Sequence, residues 1–300
     1  MQRKAFLFLL CWLMLNAASQ AQTDSLQFKN TINKKRLSGV LTTEAVLYSG
    51  SIAGLYTLWY QKYPQSSFHF FNDNQEWLYM DKMGHLATSY YIGKIGYESL
   101  KWAGLNNTKA AWYGGGLGFV YQTSIEVLDG FSKQWGFSLG DMTSNFLGSA
   151  LFISQQLLWK EQKVMLKWSY SASKYAKYNP NLLGSNWKET WLKDYNGQTY
   201  WLSFNIHSIL KENSAFPKWL NVAVGYGADG MIGASSNPAD LPYFKRYSQW
   251  YLSADIDLTR ITTRSKFLNL LFQTIGFIKI PLPTLEYNPV NNFSFHLLHF

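Results

Sequence analysis

The chain has 300 residues and a formal charge of +9, from 27 Lys and Arg against 18 Asp and Glu. That length suffices for one large domain or two ordinary ones with a full core. Aromatic residues reach 18%, with 13 Trp, 20 Tyr and 20 Phe. This points either to an aromatic-rich core or to a boundary that is apolar on one side and wet on the other, such as a membrane interface.

The N-terminus reads as a secretory signal peptide over residues 1–21. Arg3 and Lys4 supply the positive region, Ala5 to Leu15 the apolar run, and Asn16 to Gln22 the small residues, with cleavage expected after Ala21. The run is too short to span a bilayer comfortably. The single cysteine, Cys11, lies inside it rather than at the cleavage point. Lipidation is therefore not expected, and the mature chain has neither thiol nor disulfide. Removing Arg3 and Lys4 from the 27 basic residues leaves 25 against 18, a formal +7. The excess is scattered (Lys163, Lys167, Lys174, Lys177), as on a solvated surface, with attraction to anionic lipid or polysaccharide headgroups as the second reading. The expected location is exported, in the periplasm or at the outer membrane, with no nucleic-acid partner.

Residues 22–40 are polar and basic, a linker or arm. A helical part follows over 41–160. The first helix runs from Leu41 to Tyr60, capped by Thr42 or Thr43. The second runs from about Glu76 to Trp102, with Gly84, Gly93 and Gly96 allowing close helix approach. The third occupies about Lys109 to Leu128 and the fourth about Leu139 to Trp159. Short connections make this a four-helix bundle. Glu44, Asp81, Lys82, His85, Lys94, Glu98 and Glu126 interrupt the apolar runs, and each such charge costs about 2.5 kcal/mol or more inside a bilayer. The helices therefore read as buried in protein or lying against a membrane rather than as four spans.

Over 161–300 the pattern turns to strands: Lys163 to Tyr170, Thr199 to Ile206, Trp219 to Tyr226, and Tyr247 to Leu258. In the last of these, Trp250, Leu252, Ala254, Ile256 and Leu258 share one face. Phe272 to Ile280 is a further candidate, stopped by Pro281 and Pro283. The segment Phe293 to Phe300, with aromatics at alternating positions, resembles the closing strand of an outer-membrane barrel. Five or six strands fall short of the eight or so that such a barrel needs. An antiparallel β-sheet or partial barrel fits better, and the fold class is α+β.

The chemistry gathers between Met80 and Gly148. Asp81 and His85 are four apart and share a helix face, where a carboxylate can orient an imidazole as base or ligand. Lys82 can pair with Glu126 or Asp129, themselves three apart. Asp141 and Asn145 repeat the four-residue spacing. Two readings stand: Asp81, His85 and Glu126 as catalytic groups with Lys82, Asp129, Asp141 and Asn145 as binding groups, or the same residues as ties between helices. No metal site is assigned and no cofactor expected, although these oxygens and one imidazole can hold a divalent cation. Asp194 to Trp201 reads as a polar turn entering a strand. His207, His296 and His299 have no carboxylate at helical spacing and read as surface or strand residues. Nucleophile-elbow, zinc-protease and dinucleotide motifs are absent.

The pattern Asp81-Lys82-x-x-His85, Glu126, Asp129-Gly130, Gly136-Phe137-Ser138 and Asp141-x-x-x-Asn145-x-x-Gly148 resembles an uncharacterised family of predicted periplasmic or envelope proteins, a domain of unknown function. Lys193 to Ser203 resembles its longer Bacteroidetes-type members. The helical half is also distantly similar to the VanZ-like membrane family, from which the signal peptide, the less apolar helices and the added β region depart. The resemblance implies a compartment and no agreed activity. The combined expectation is a non-enzymatic, membrane-associated envelope protein that binds lipid, glycan or a protein partner. The alternative is an enzyme acting on an envelope lipid or glycan through the His/Asp/Glu cluster.

Overall fold

The computed structural model describes residues 31–58, 60–210 and 214–300. The signal-peptide reading and residues 22–30 of the expected linker lie outside them, and the rest of that linker enters the first helix. The chain divides into two units: one of residues up to 71, 88–162 and 263–274, the other of 72–87, 163–262 and 275–300.

The first unit is helical. Helix α1 spans Lys34–Leu58, beginning before Leu41 because the Asn33 side chain accepts from the Arg36 N–H at 3.1 Å, an N-cap. Helix α2 spans Met80–Trp102 and belongs to this unit from Thr88 onward. The third helix expected over Lys109 to Leu128 is in fact two: α3 (Asn107–Gly115), capped by Asn106, and α4 (Leu117–Gly130), separated at Gly116. Helix α5 (Leu139–Leu158) starts at the Ser138 cap, and α8 (Lys266–Ile275) falls largely in the same unit. A simple four-helix bundle is therefore not what forms.

Glycine explains the break between α3 and α4. A Cβ on Gly93 would meet the Gly115 carbonyl oxygen at 2.5 Å, and one on Gly118 would meet that of Ser89 at 2.0 Å. Backbones approach here without side chains between them, and the run Gly114-Gly115-Gly116 that permits this also lowers helix propensity.

An apolar cluster of Val40, Leu100, Ala103, Leu105 and Ala110 closes one part of the unit. Elsewhere its polarity is inverted. Ser89, Gln122, Glu126, Asp141 and Asn145 are buried, while Trp112, Tyr113, Val120, Phe146 and Leu147 are exposed. Among the described residues, no helix is long and apolar enough to cross a membrane.

The second unit is a six-stranded antiparallel sheet in the order β1-β2-β3-β4-β5-β6: Val164–Tyr170, Gln198–Asn205, Leu220–Asp229, Tyr247–Ile256, Leu282–Asn288 and Asn292–His299. Two short helices, α6 (Pro180–Leu183) and α7 (Trp187–Lys193), lie between β1 and β2. The strand expected over Phe272 to Ile280 is instead the end of α8 and a short extended piece. That piece pairs in parallel with β1: Trp168 donates to the Phe277 carbonyl at 2.8 Å, and Lys279 donates to that of Trp168 at 2.9 Å. The segment feeding β5 thus occupies the outer edge of β1, and the sheet curls into a partial barrel.

Strand β5 carries Pro283 and was not expected. Its ladder with β4 runs from Tyr287 only as far as Thr284, and its register with β6 shifts between Leu282 and Thr284. Pro283 therefore sits at an irregularity, where no ladder N–H is required.

The sheet is inside out. Beside a buried cluster of Trp201, Ala223 and Tyr251, its inward side chains form a buried polar network: Lys167 with Asp255 at 2.7 Å, Ser203 to Asp255 at 2.6 Å, Asn221 to Ser203 at 2.8 Å, and Lys279 and Thr284 on the Ser253 hydroxyl at 3.1 and 3.0 Å. Its outward side chains are apolar. Leu202, Val224, Leu252, Leu285 and Phe295 stand in register across β2 to β6, all exposed. Two positions along the strands, Tyr226, Trp250, Tyr287 and Phe293 form a parallel aromatic row. The face shared by Trp250, Leu252, Ala254 and Ile256 is therefore the outer one.

Candidate functional site

In the sheet unit the candidate residues hang on an unusual backbone. Trp77, Leu78 and Tyr79 have φ of 50°, 50° and 66°, a left-handed run that costs non-glycine residues roughly 1–2 kcal/mol each. It is held in place from outside. Trp77 donates to the Ala234 carbonyl at 2.9 Å, the Tyr226 hydroxyl donates to the Leu78 carbonyl at 2.6 Å, and Ser235 donates to Glu76 at 3.0 Å. Met80, fully buried against Ala228 and Met231, fixes where α2 begins.

The first turns of α2 then present Asp81, Lys82 and His85. Lys82, 6% exposed, lies 2.7 Å from Asp73 and 3.3 Å from Asp81. Asp81 also accepts from the Tyr195 hydroxyl at 3.0 Å and stands 3.8 Å from the His85 Nε2. The four-residue spacing thus does bring Asp81 and His85 together. Gly84 leaves room for the Tyr200 hydroxyl, which a Cβ would meet at 3.3 Å. The arrangement can hold a proton on His85 beside an oriented carboxylate, with Lys82 supplying fixed positive charge between two carboxylates. That charge offsets what would draw a cation to Asp73 and Asp81.

In the helical unit the remaining candidates have separate partners. Glu126, buried on α4, accepts from the Ser138 backbone N–H at 3.2 Å. The Ser138 hydroxyl in turn caps α5 by accepting from the Asp141 N–H at 3.1 Å. A carboxylate next to a helix N-terminus is favourably placed. Asn145, fully buried one turn further on, accepts from the Ser89 hydroxyl at 3.3 Å. Asp129 accepts from Tyr60 at 2.7 Å instead. Burial and the Asp129 carboxylate beside it raise the Tyr60 phenol above its ordinary value. Glu126 and Asp129 thus point to different groups despite their three-residue spacing.

The sequence motif Asp194 to Trp201 is a structural latch. Asn196 donates to Asp194 at 2.8 Å and to the Met231 carbonyl at 2.7 Å, and accepts from the Met231 N–H at 2.7 Å. Two groupings go unforeseen in the sequence: His296 and His299 read there only as surface or strand residues, and Lys167, which reads as part of a solvated surface, is buried. His296 lies 2.6 Å from Glu286 across the β5–β6 hairpin, and His299 stacks on Tyr251 with ring centroids 4.4 Å apart. Burial works to raise the Glu286 carboxyl, but hydrogen bonds from Gln249, Asn288 and His296 outweigh it and hold the group below its usual value. Burial lowers His299 to about 4. The second grouping is the Lys167–Asp255 pair with Lys279, whose amine burial lowers to about 8. The cross-strand hairpin at Asn288 to Asn292 was the signal that could have found the first; nothing in the spacing announces the second.

Residues 69–156 match the family model described as predicted periplasmic lipoprotein (DUF2279). The match runs from before Asp81 to beyond Asn145, and the β portion lies outside it. It agrees with the sequence-level likeness to an uncharacterised periplasmic or envelope family, and its description agrees with the exported, periplasmic location. The VanZ-like likeness finds no support in it. The chain's only cysteine, Cys11, lies outside both the match and the described residues. No curated protein and no solved structure matches the chain.

Proposed function

We propose that the protein is a non-enzymatic component of the cell envelope that works at a membrane and binds lipid. One observation carries the reading: in each unit, large apolar side chains are exposed while charged and amide groups are buried. Apolar surface left in water is costly at roughly 25 cal/mol per Å², and contiguous patches of it mark interaction sites. The formal excess of basic residues favours an anionic headgroup layer beside such a surface. The test is fractionation of the expressed chain, followed by flotation with vesicles of phosphatidylethanolamine and phosphatidylglycerol. The protein is expected in the membrane fraction and at the top of the gradient. Recovery of all of it as soluble periplasmic protein, sedimenting away from vesicles, overturns the reading.

A second reading is favoured by the Asp81–His85 contact. Here His85 acts as a base oriented by Asp81, on an envelope lipid or glycan. It expects His85→Ala to abolish function while the protein keeps its thermal unfolding midpoint. Full function in that variant, or unfolding, ends it.

A further inference from the structure

We propose that the outward face of the six-stranded sheet sits among the acyl chains of one leaflet of a bilayer, with its aromatic row at the headgroup boundary. The proposal rests on the membrane reading above and specifies which surface carries it.

Three features argue for lipid as the occupant. First, the aliphatic row and the aromatic row are ordered as a membrane orders them. Aliphatic side chains occupy the middle, while Trp250 and Tyr287, exposed and with polar tips, follow along one margin beside Tyr226, whose hydroxyl is held by the Leu78 carbonyl. Second, the aliphatic row contains no hydrogen-bonding side chain. Specific protein interfaces carry about one hydrogen bond per 100–200 Å² and a polar rim, whereas acyl chains ask for neither. Third, the opposite face gathers the polar groups of these strands, with Lys167, Asp255, Ser203 and Ser253 bonded among themselves and to Lys279.

The dimensions agree. From Leu220 to Val224 on β3 the aliphatic face rises about 13 Å at roughly 3.3 Å per residue, against a leaflet of about half the 30 Å hydrocarbon core. The six strands seen among the described residues are fewer than the eight or so of a spanning barrel. The face is therefore suited to entering one leaflet rather than enclosing a pore.

The test uses the full chain carrying Cys11→Ser, so that each introduced cysteine is unique. Val224→Cys and Leu252→Cys report the outward face, and Tyr243→Cys reports an exposed loop. Each is labelled with a small fluorophore and mixed with phosphatidylethanolamine and phosphatidylglycerol vesicles bearing nitroxides on their acyl chains. The two outward positions are expected to lose fluorescence to the lipid nitroxide and to gain protection from aqueous iodide, while the Tyr243 position shows neither change and stays open to iodide. If the protein floats with the vesicles but Val224 and Leu252 stay open to iodide, this assignment fails and the membrane reading survives. If it does not float, both fail. Protection that appears without lipid and grows with protein concentration would mean that a second copy covers the face, which also overturns the proposal.

Discussion

Lys167 and Asp255 meet at 2.7 Å with both side chains fully buried. Lys167 also donates to the Ile256 carbonyl at 2.7 Å, and Asp255 accepts from Ser203 at 2.6 Å. Lys167→Met removes the cation and leaves a carboxylate in the sheet interior, which costs about 3–5 kcal/mol for a broken buried pair. Asp255→Leu leaves the ammonium behind at a similar cost. Replacing both removes both desolvation penalties, so the double variant is expected within about 1 kcal/mol of the parent. The neighbouring Lys279 adds a second readout. Its amine lies near 8, lowered by burial and by Lys167. Lys167→Met should therefore move its titration upward. The assay is equilibrium urea unfolding of the sheet followed by tryptophan fluorescence, with stability taken from midpoint and slope. Single-variant costs below about 1 kcal/mol, as for an exposed pair, or a double-variant cost equal to the sum of the singles, would refute the reasoning.

Two further predictions concern packing and pH. Gly118→Ala places a methyl 2.0 Å from the Ser89 carbonyl oxygen and should lower stability by about 1–3 kcal/mol as overpacking. Gly39→Ala, with nothing within 4 Å, should instead raise it by roughly 0.4–1 kcal/mol; thermal melts of the two variants should move in opposite directions. Burial lowers His299 to about 4 in the fold, from an ordinary imidazole value of about 6.5, so between those values the unfolded chain binds more protons. Sheet stability is then fully present above about 6.5 and falls as pH drops through that window. His299→Phe should flatten the urea midpoint between pH 4 and 6.5; an unchanged slope would place the dependence elsewhere.

How much of this was legible in the sequence follows from which signals are local. Helix α5 could be read almost to the residue, because Ser138 caps it and the apolar pattern runs unbroken to Leu158. Strands β1 to β4 could be read from alternation. The break at Gly116 was only half legible: the run Gly114-Gly115-Gly116 weakens the helix there, but the close approach of Gly93 and Ser89 on another helix is tertiary. Strand β5 was hidden by Pro281 and Pro283, harmless only because the ladder is irregular there. Alternation also gives the period of a strand but not which face is buried, so the inward Ser203, Ser253 and Asp255 could not be told from a solvated face. At the candidate site, spacing correctly joined Asp81 to His85. It could not supply Asp73 or Tyr195, which reach Lys82 and Asp81 through tertiary structure alone.

The parallel bridge between Trp168 and Ile278 has a bearing on how the protein is made. The first strand and the segment that seals its edge are separated by 110 positions, from 168 to 278, so the curl of the sheet cannot complete during emergence of its first four strands. Until that segment arrives, β1 keeps an open edge, and open edges template pairing with other chains. Contacts of such long range also close slowly. A chain threaded outward from its N-terminus would therefore carry a greasy, half-built wall with one unsealed seam from the emergence of β1 until residue 278 follows. A holding chaperone on the far side of the membrane would have its greatest effect in that interval, before residue 278 clears the channel.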